Sequence, residues 1–303
     1  MSAMNGYQGP VLRPMDFGEL LDQTFQVYRR GFRPLITVGL IAALPSVVVS
    51  ILSGLFVTDQ IDSPDSPLFA AVLNAQYEDF RQLTSVVGVY LLLVVGSLLL
   101  SPLIQGAVIA ICARTYLGKP TTAGQALRIA LSRYPALLGT SLLKGFFLVL
   151  AGLVLVLAGL VFLAFLTVPL GLITLGVYLT FSYHAVVVER AGGGIPAMSR
   201  SFQLVNGRFW RLLGLGIVFT LMVAVVNWMV TYVSGLPSQF FPGQSMMAVF
   251  VVIAALLGGL ASAIVTPFNM LGLTLAYYDT RMRKEGFDLE MLAQSQAGGH
   301  EEV

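Results

Sequence analysis

Charge is what this sequence has least of. Only 11% of its 303 residues are Asp, Glu, Lys or Arg, against about 25% in an ordinary soluble domain. A single cysteine, Cys112, excludes an intrachain disulfide framework and a cysteine-based metal site. It sits in an apolar run and reads as a small buried hydrophobe. Two histidines, His184 and His300, leave little material for acid–base or metal chemistry. No Asp or Glu falls at the middle of any long apolar run, which argues against an ion-coupled pump built on an acidic relay. The first thirty residues hold Arg13, Asp16, Glu19, Asp22, Arg29 and Arg30, so no apolar signal-peptide core starts near Met1.

Apolar residues fill that space, at 56% of the chain. One soluble core could not hide so much apolar surface, whereas a bilayer does. About 20 apolar residues of helix cross roughly 30 Å of hydrocarbon. On that measure the sequence predicts an all-α, polytopic membrane protein with six transmembrane helices. Span 1 covers about Leu35–Val57 and span 2 about Leu83–Ala113. Residues Pro135–Val188 make spans 3 and 4, with a turn near Ala164–Pro169. Span 5 covers Leu212–Gly235 and span 6 Met246–Tyr278. Residues 1–15 are expected to be a flexible N-terminus, 16–284 the membrane domain, and 285–303 a C-terminal tail.

All but two of the 17 lysines and arginines fall on one side of this topology. They are Arg13, Arg29, Arg30 and Arg33 before span 1, and Arg114, Lys119, Arg128 and Arg133 between spans 2 and 3. Arg190, Arg200, Arg208 and Arg211 lie between spans 4 and 5, and Arg281, Arg283 and Lys284 follow span 6. The exceptions are Arg81, on the far side, and Lys144, within span 3. Acidic Asp59, Asp62, Asp65, Glu78 and Asp79 occupy the far-side loop between spans 1 and 2. The asymmetry of basic residues places both termini in the cytoplasm.

An amphipathic stretch precedes each odd-numbered span, over Asp16–Arg30, Thr122–Tyr134 and Ile195–Arg208. Such helices are expected to lie at the cytoplasmic interface. Pro102 lies 12 residues before Arg114 and Pro267 lies 12 before Asp279, whereas Pro169 is farther from its exit. The pattern predicts three pseudo-repeats of interfacial helix plus transmembrane hairpin about a pseudo-threefold axis. Parallel repeats occur in transporters, but repetition does not establish transport.

Three segments, Leu12–Phe32, Glu189–Trp210 and Leu275–Leu292, together resemble the bacterial glycerophosphoryl diester phosphodiesterase membrane-domain family, over nearly the whole chain. The resemblance implies a six-span helical domain in a bacterial plasma membrane. Hydrolysis in fused relatives belongs to a separate soluble barrel of about 250 residues. His184 and His300 do not make its acid–base pair, so the catalytic domain is expected to be absent.

Intramembrane polar groups are the next pointers to function. Lys144 is expected to snorkel to the interface rather than contact substrate. His184 is expected to be a hydrogen-bonded packing residue rather than a proton relay. Gln105, Asn227 and Asn269 either satisfy carbonyls freed at the prolines and join helices, or form a central permeation site. The small-residue runs Gly152–Gly159 and Gly258–Ala263 suit close helix packing. The triple glycine Gly192–Gly194 lacks the Lys-Ser/Thr of a phosphate loop and reads as a flexible start to the helix that follows.

The carboxylates Asp16, Glu19 and Asp22, or Glu189, Asp279 and Glu285, are the candidates for an enzyme. They show no nucleophile–base or metal-ligand spacing, and no cofactor is implied. The basic rim, Arg29, Arg30, Arg33, Arg128, Arg133, Arg200, Arg208, Arg211, Arg281, Arg283 and Lys284, reads either as topology alone or as a surface for anionic lipids or an acidic protein partner. Nucleic acid is not expected at a membrane surface. The expected function is a non-enzymatic membrane subunit or scaffold; a lipid or amphiphile transporter is the alternative, and a lipid-headgroup enzyme a more remote one.

Overall fold

The computed structural model describes residues 14–61, 77–119, 121–158, 161–240 and 244–286. Expectations about Arg13, the acidic loop residues Asp62 and Asp65, His300 and most of both termini lie outside them. The described residues are helical, with no strand among them. The helices are α1 Phe17–Arg30, α2 Phe32–Ile61, α3 Tyr77–Tyr116, α4 Ala123–Ser132, α5 Tyr134–Ala158, α6 Val161–Tyr178, α7 Ser182–Val188, α8 Ile195–Val205, α9 Phe209–Phe240 and α10 Gln244–Glu285.

Six segments are long and apolar enough to cross a membrane: Phe32–Leu52, Val95–Tyr116, Tyr134–Leu157, Val168–Val188, Phe209–Leu236 and Val249–Glu285. The chain is an all-α polytopic membrane protein. Short helices α1, α4 and α8 each stand directly before a long one, so the predicted order of elements recurs three times. Pro34, Pro135 and Pro196 sit in the first turns of α2, α5 and α8, where a missing N–H costs nothing. Pro45, Pro102, Pro169 and Pro267 lie inside helices. The boundary between spans 3 and 4 differs from expectation: α5 ends at Ala158 and α6 starts at Val161, so Pro169 is interior to α6 rather than at a turn.

The described residues fall into two compact units. One contains the residues up to Leu35, Pro102–Thr220 and those from Phe268 onward. The other contains Ile36–Ser101 and Leu221–Pro267.

In the second unit α2 and α10 approach closely through small residues. A Cβ on Gly39 would stand 3.0 Å from the Ala263 carbonyl carbon and closer still to its oxygen, and one on Gly259 would collide with Val47. Gly259 and Ala263, within the run Gly258–Ala263, therefore pack helix on helix, whereas Gly258 has nothing within 4 Å of its would-be Cβ. Gly152, in the other predicted run, has nothing within 4 Å of its would-be Cβ, so close packing is not its role.

The first unit contains a break that the hydropathy pattern does not show. Span 4 is interrupted between Tyr178 and Ser182, where α6 gives way to α7. A break inside a membrane span leaves backbone groups that need partners. Ser201 of α8, fully buried, supplies both: its Oγ accepts from Phe181 N at 3.0 Å and donates to the Tyr178 carbonyl at 2.6 Å. Ser201→Ala strands a buried donor and a buried acceptor at once. It is expected to destabilise the protein by about 1–3 kcal/mol, read as a lowered melting temperature in detergent; an unchanged melting temperature contradicts the role.

The triple glycine has a packing role besides any flexibility. A Cβ on Gly193 would meet Ala136 Cα and O at 2.5 Å, and Gly194, at φ +76°, donates its N–H to Thr140 Oγ1 at 2.9 Å. These contacts seat the start of α8 against the start of α5.

Candidate functional site

The candidate site is the basic end of the first unit. Its frame is built on three carboxylates among many arginines. Asp279, near the end of α10, is almost wholly buried. Its oxygens accept from Met15 N at 2.8 Å and from Arg283 Nε at 3.0 and 3.2 Å, and Arg211 Nη2 lies 3.1 Å away. Both arginines also donate to the Met15 carbonyl, at 2.5 Å from Arg211 and 2.7 Å from Arg283. One carboxylate and one peptide unit thus tie the lead-in to α1 to the start of α9 and the end of α10.

Glu189, just after α7, is the second hub. Arg200 grips it bidentately, Nε to Oε2 at 2.6 Å and Nη2 to Oε1 at 3.0 Å, the strong fork geometry. The Tyr277 hydroxyl donates to Glu189 Oε1, and Arg281 Nε lies 3.2 Å from it. The third, Glu285, takes Arg200 Nη1 at 2.6 Å and Arg281 Nε at 3.0 Å. The Glu189 hydrogen bond, more than any other influence, holds the Arg200 guanidinium above its usual range.

Two further cations close helix ends. Arg133 Nη1 donates to the carbonyls of Val186, at 3.0 Å, and Val187, the C-terminal carbonyls of α7. Burial lowers the Arg133 guanidinium below its usual value, with nearby Arg190 adding to the effect. Lys284 Nζ donates to the carbonyls of Gln203, at 2.6 Å, and Asn206 at the end of α8.

Nine of the eleven rim residues therefore separate into two classes. Arg133, Arg200, Arg211, Arg281, Arg283 and Lys284 are consumed in internal pairing. Arg29, Arg30 and Arg128 are exposed, and their side chains have no ion pair or hydrogen bond to any described residue. Arg33 is exposed too. Arg208 is half-buried; its Nε is shut away from solvent with no hydrogen-bond partner.

Asp16 and Glu19 belong to the start of α1, where Asp16 N donates to Glu19 Oε2 at 3.2 Å. That is helix capping. Asp22 is exposed. Among the described residues no three His, Cys, Asp or Glu side chains gather as a metal would require.

Asn227 is exposed on α9, while Gln105 and Asn269 are half-buried, with no hydrogen bond between their amides among the described residues. The Lys144 ammonium is half-buried over the Tyr183 ring, 5.3 Å from its centroid, a cation–π contact that the sequence does not announce. His184 is buried and stacked on Tyr277 at 5.4 Å. Its Nε2 lies 3.2 Å from Thr274 Oγ1, which itself donates to the Met270 carbonyl at 2.8 Å. The hydroxyl thus accepts from His184, fixing the proton on Nε2 by the logic of the network. Nδ1 is buried and makes no hydrogen bond of ordinary geometry to a described residue, with the Thr180 backbone interacting with the ring.

Met15, Ser201, Thr140 and Thr274 are contributors that sequence reasoning missed. The one signal available was the scarcity of acids: Glu189 precedes Arg190, Asp279 stands two residues before Arg281, and Glu285 follows Lys284. No family model matches the chain, and searches of curated proteins and of solved structures return no match.

Proposed function

We propose that the chain is a non-enzymatic membrane scaffold whose basic face, on the cytoplasmic side of a bacterial plasma membrane, holds anionic lipid headgroups. The observation that carries this reading is the division of the rim into two classes. If the arginines served only to lock the bundle, all would be expected in pairs; Arg29, Arg30 and Arg128 instead point outward with no described partner. Each basic side chain near an anionic leaflet contributes about 1 kcal/mol of attraction. The positive-inside asymmetry and the resemblance to the phosphodiesterase membrane-domain family support the cytoplasmic and bacterial parts of the reading.

The non-enzymatic part rests on how the carboxylates are used. Glu189, Asp279 and Glu285 accept from two or more donors each and serve as ion-pair anchors. These contacts give each carboxylate a structural task, holding the basic end of the first unit together.

The test is a lipid titration of detergent-solubilised protein followed by native mass spectrometry. Wild type is expected to take up phosphatidylglycerol in preference to phosphatidylcholine. Arg29→Glu/Arg30→Glu/Arg128→Glu is expected to weaken that uptake at least tenfold while the melting temperature holds. Equal uptake by the two proteins overturns the reading, and a stoichiometric protein companion in place of lipid would redirect it to an acidic partner.

A further inference from the structure

The turn between α8 and α9 builds a cavity that the paired frame leaves unused. Asn206 has φ −55° and ψ 128°, Gly207 has φ +80°, and Arg208 N donates back to the Val205 carbonyl at 2.9 Å. That is a type II turn, whose third position favours glycine. It turns the chain directly into α9 and opens a cavity of about 510 Å³ lined by Gly207, Arg208, Phe209, Trp210 and Arg211. Such a volume suits a small headgroup. Trp210 is 80% exposed at its edge.

Charge around this cavity does not balance. Arg211 and Arg283 share Asp279, whose Oδ1 also accepts from Met15 N. The Lys284 ammonium is spent on carbonyls. The Arg208 guanidinium has these three cations for neighbours and Asp279 as its one acidic neighbour, and its side chain makes no hydrogen bond or ion pair among the described residues. Its guanidinium is held below its usual value first by burial and then by Arg283. Its Nε, shut from solvent among like charges, has no acceptor, and the one nearby carboxylate is already shared by Arg211 and Arg283.

We propose that Arg208, with the Arg211 face turned away from Asp279 beside it and Trp210 at the rim, forms a binding site for a phosphate group with net negative charge, carried by an anionic lipid headgroup or present as free phosphate. The site rests on the lipid-binding reading above and gives it one defined location. Guanidinium groups recognise phosphate oxygens through paired N–H donors, and an indole suits the boundary between headgroup and apolar chain.

The chain has two tryptophans, so Trp228→Phe leaves Trp210 as the sole indole reporter. The full-length Trp228→Phe protein, in an uncharged detergent, is titrated with dihexanoyl phosphatidylglycerol, dihexanoyl phosphatidylcholine and inorganic phosphate. A saturable change in Trp210 emission is expected with phosphatidylglycerol, with phosphatidylcholine at least tenfold weaker. Saturation by inorganic phosphate as well assigns the site to phosphate itself; saturation by phosphatidylglycerol alone assigns it to the lipid. Arg208→Ala is expected to weaken the response about tenfold or more, the loss of one charge-assisted contact.

No saturation by either anion, or equal responses to the two lipids, overturns the site without recourse to any arginine variant. A flat Trp210 response with anionic lipid still retained through Arg29, Arg30 and Arg128 removes the pocket and leaves the scaffold reading. Loss of both removes the scaffold reading as well.

Discussion

Asp279→Ala is expected to lower the stability of the solubilised protein by roughly 3 kcal/mol or more. The carboxylate is 3% exposed, against 29% for Arg211 and 23% for Arg283. Its removal strands the Met15 N–H and leaves two guanidiniums facing each other across a shared carbonyl. Breaking a buried pair from one side costs about 3–5 kcal/mol, because the partner charge stays desolvated. Partial exposure lets the arginines recover some hydration, which places the expectation at the lower end. Asp22→Ala, on the exposed face of α1, should change stability by about 0.5 kcal/mol at most. Thermal unfolding in detergent reads both; a loss below about 1 kcal/mol for Asp279→Ala would contradict the clamp.

Gly39→Ala is the second large effect, and it tests the other unit. The added methyl would press on the backbone of Ala263, 3.0 Å from its carbonyl carbon and 3.1 Å from its Cα. A side-chain tip could rotate away; a helix backbone cannot, so α2 and α10 must separate. Overpacking of this kind costs typically about 1–3 kcal/mol. Gly145→Ala is the control, since it is exposed on α5 with nothing within 4 Å of the new Cβ. It should gain about 0.5–1 kcal/mol from reduced backbone entropy. If both substitutions shift the melting temperature alike, close packing at Gly39 is not what holds these helices.

The helical class and the number of spans are legible in the sequence, because run length and hydropathy fix them locally. The turn between spans 3 and 4 is not. Pro169 looks like a boundary, yet it lies inside α6, where a proline within a membrane helix is accommodated. The interruption at Leu179–Phe181 carries neither glycine nor proline, and it depends on Ser201, 20 residues downstream of Phe181. No local pattern encodes such a partner. The residue types of the candidate site are equally legible and their roles are not. Arg200 and Arg128 look alike in sequence; one is locked between Glu189 and Glu285, the other faces outward. The bond from Met15 to Asp279 joins residues 264 positions apart, a separation at which spacing arguments have no reach.

The lipid shell that travels with the protein tests the central claim most directly. Wild type and Arg29→Glu/Arg30→Glu/Arg128→Glu are excised from their own membranes in polymer nanodiscs, and the enclosed lipids are quantified against the bulk membrane. The account predicts enrichment of anionic lipid around wild type and its loss around the variant, with both proteins folded. A wild-type shell identical to the bulk membrane, or an enrichment indifferent to the three arginines, would contradict it.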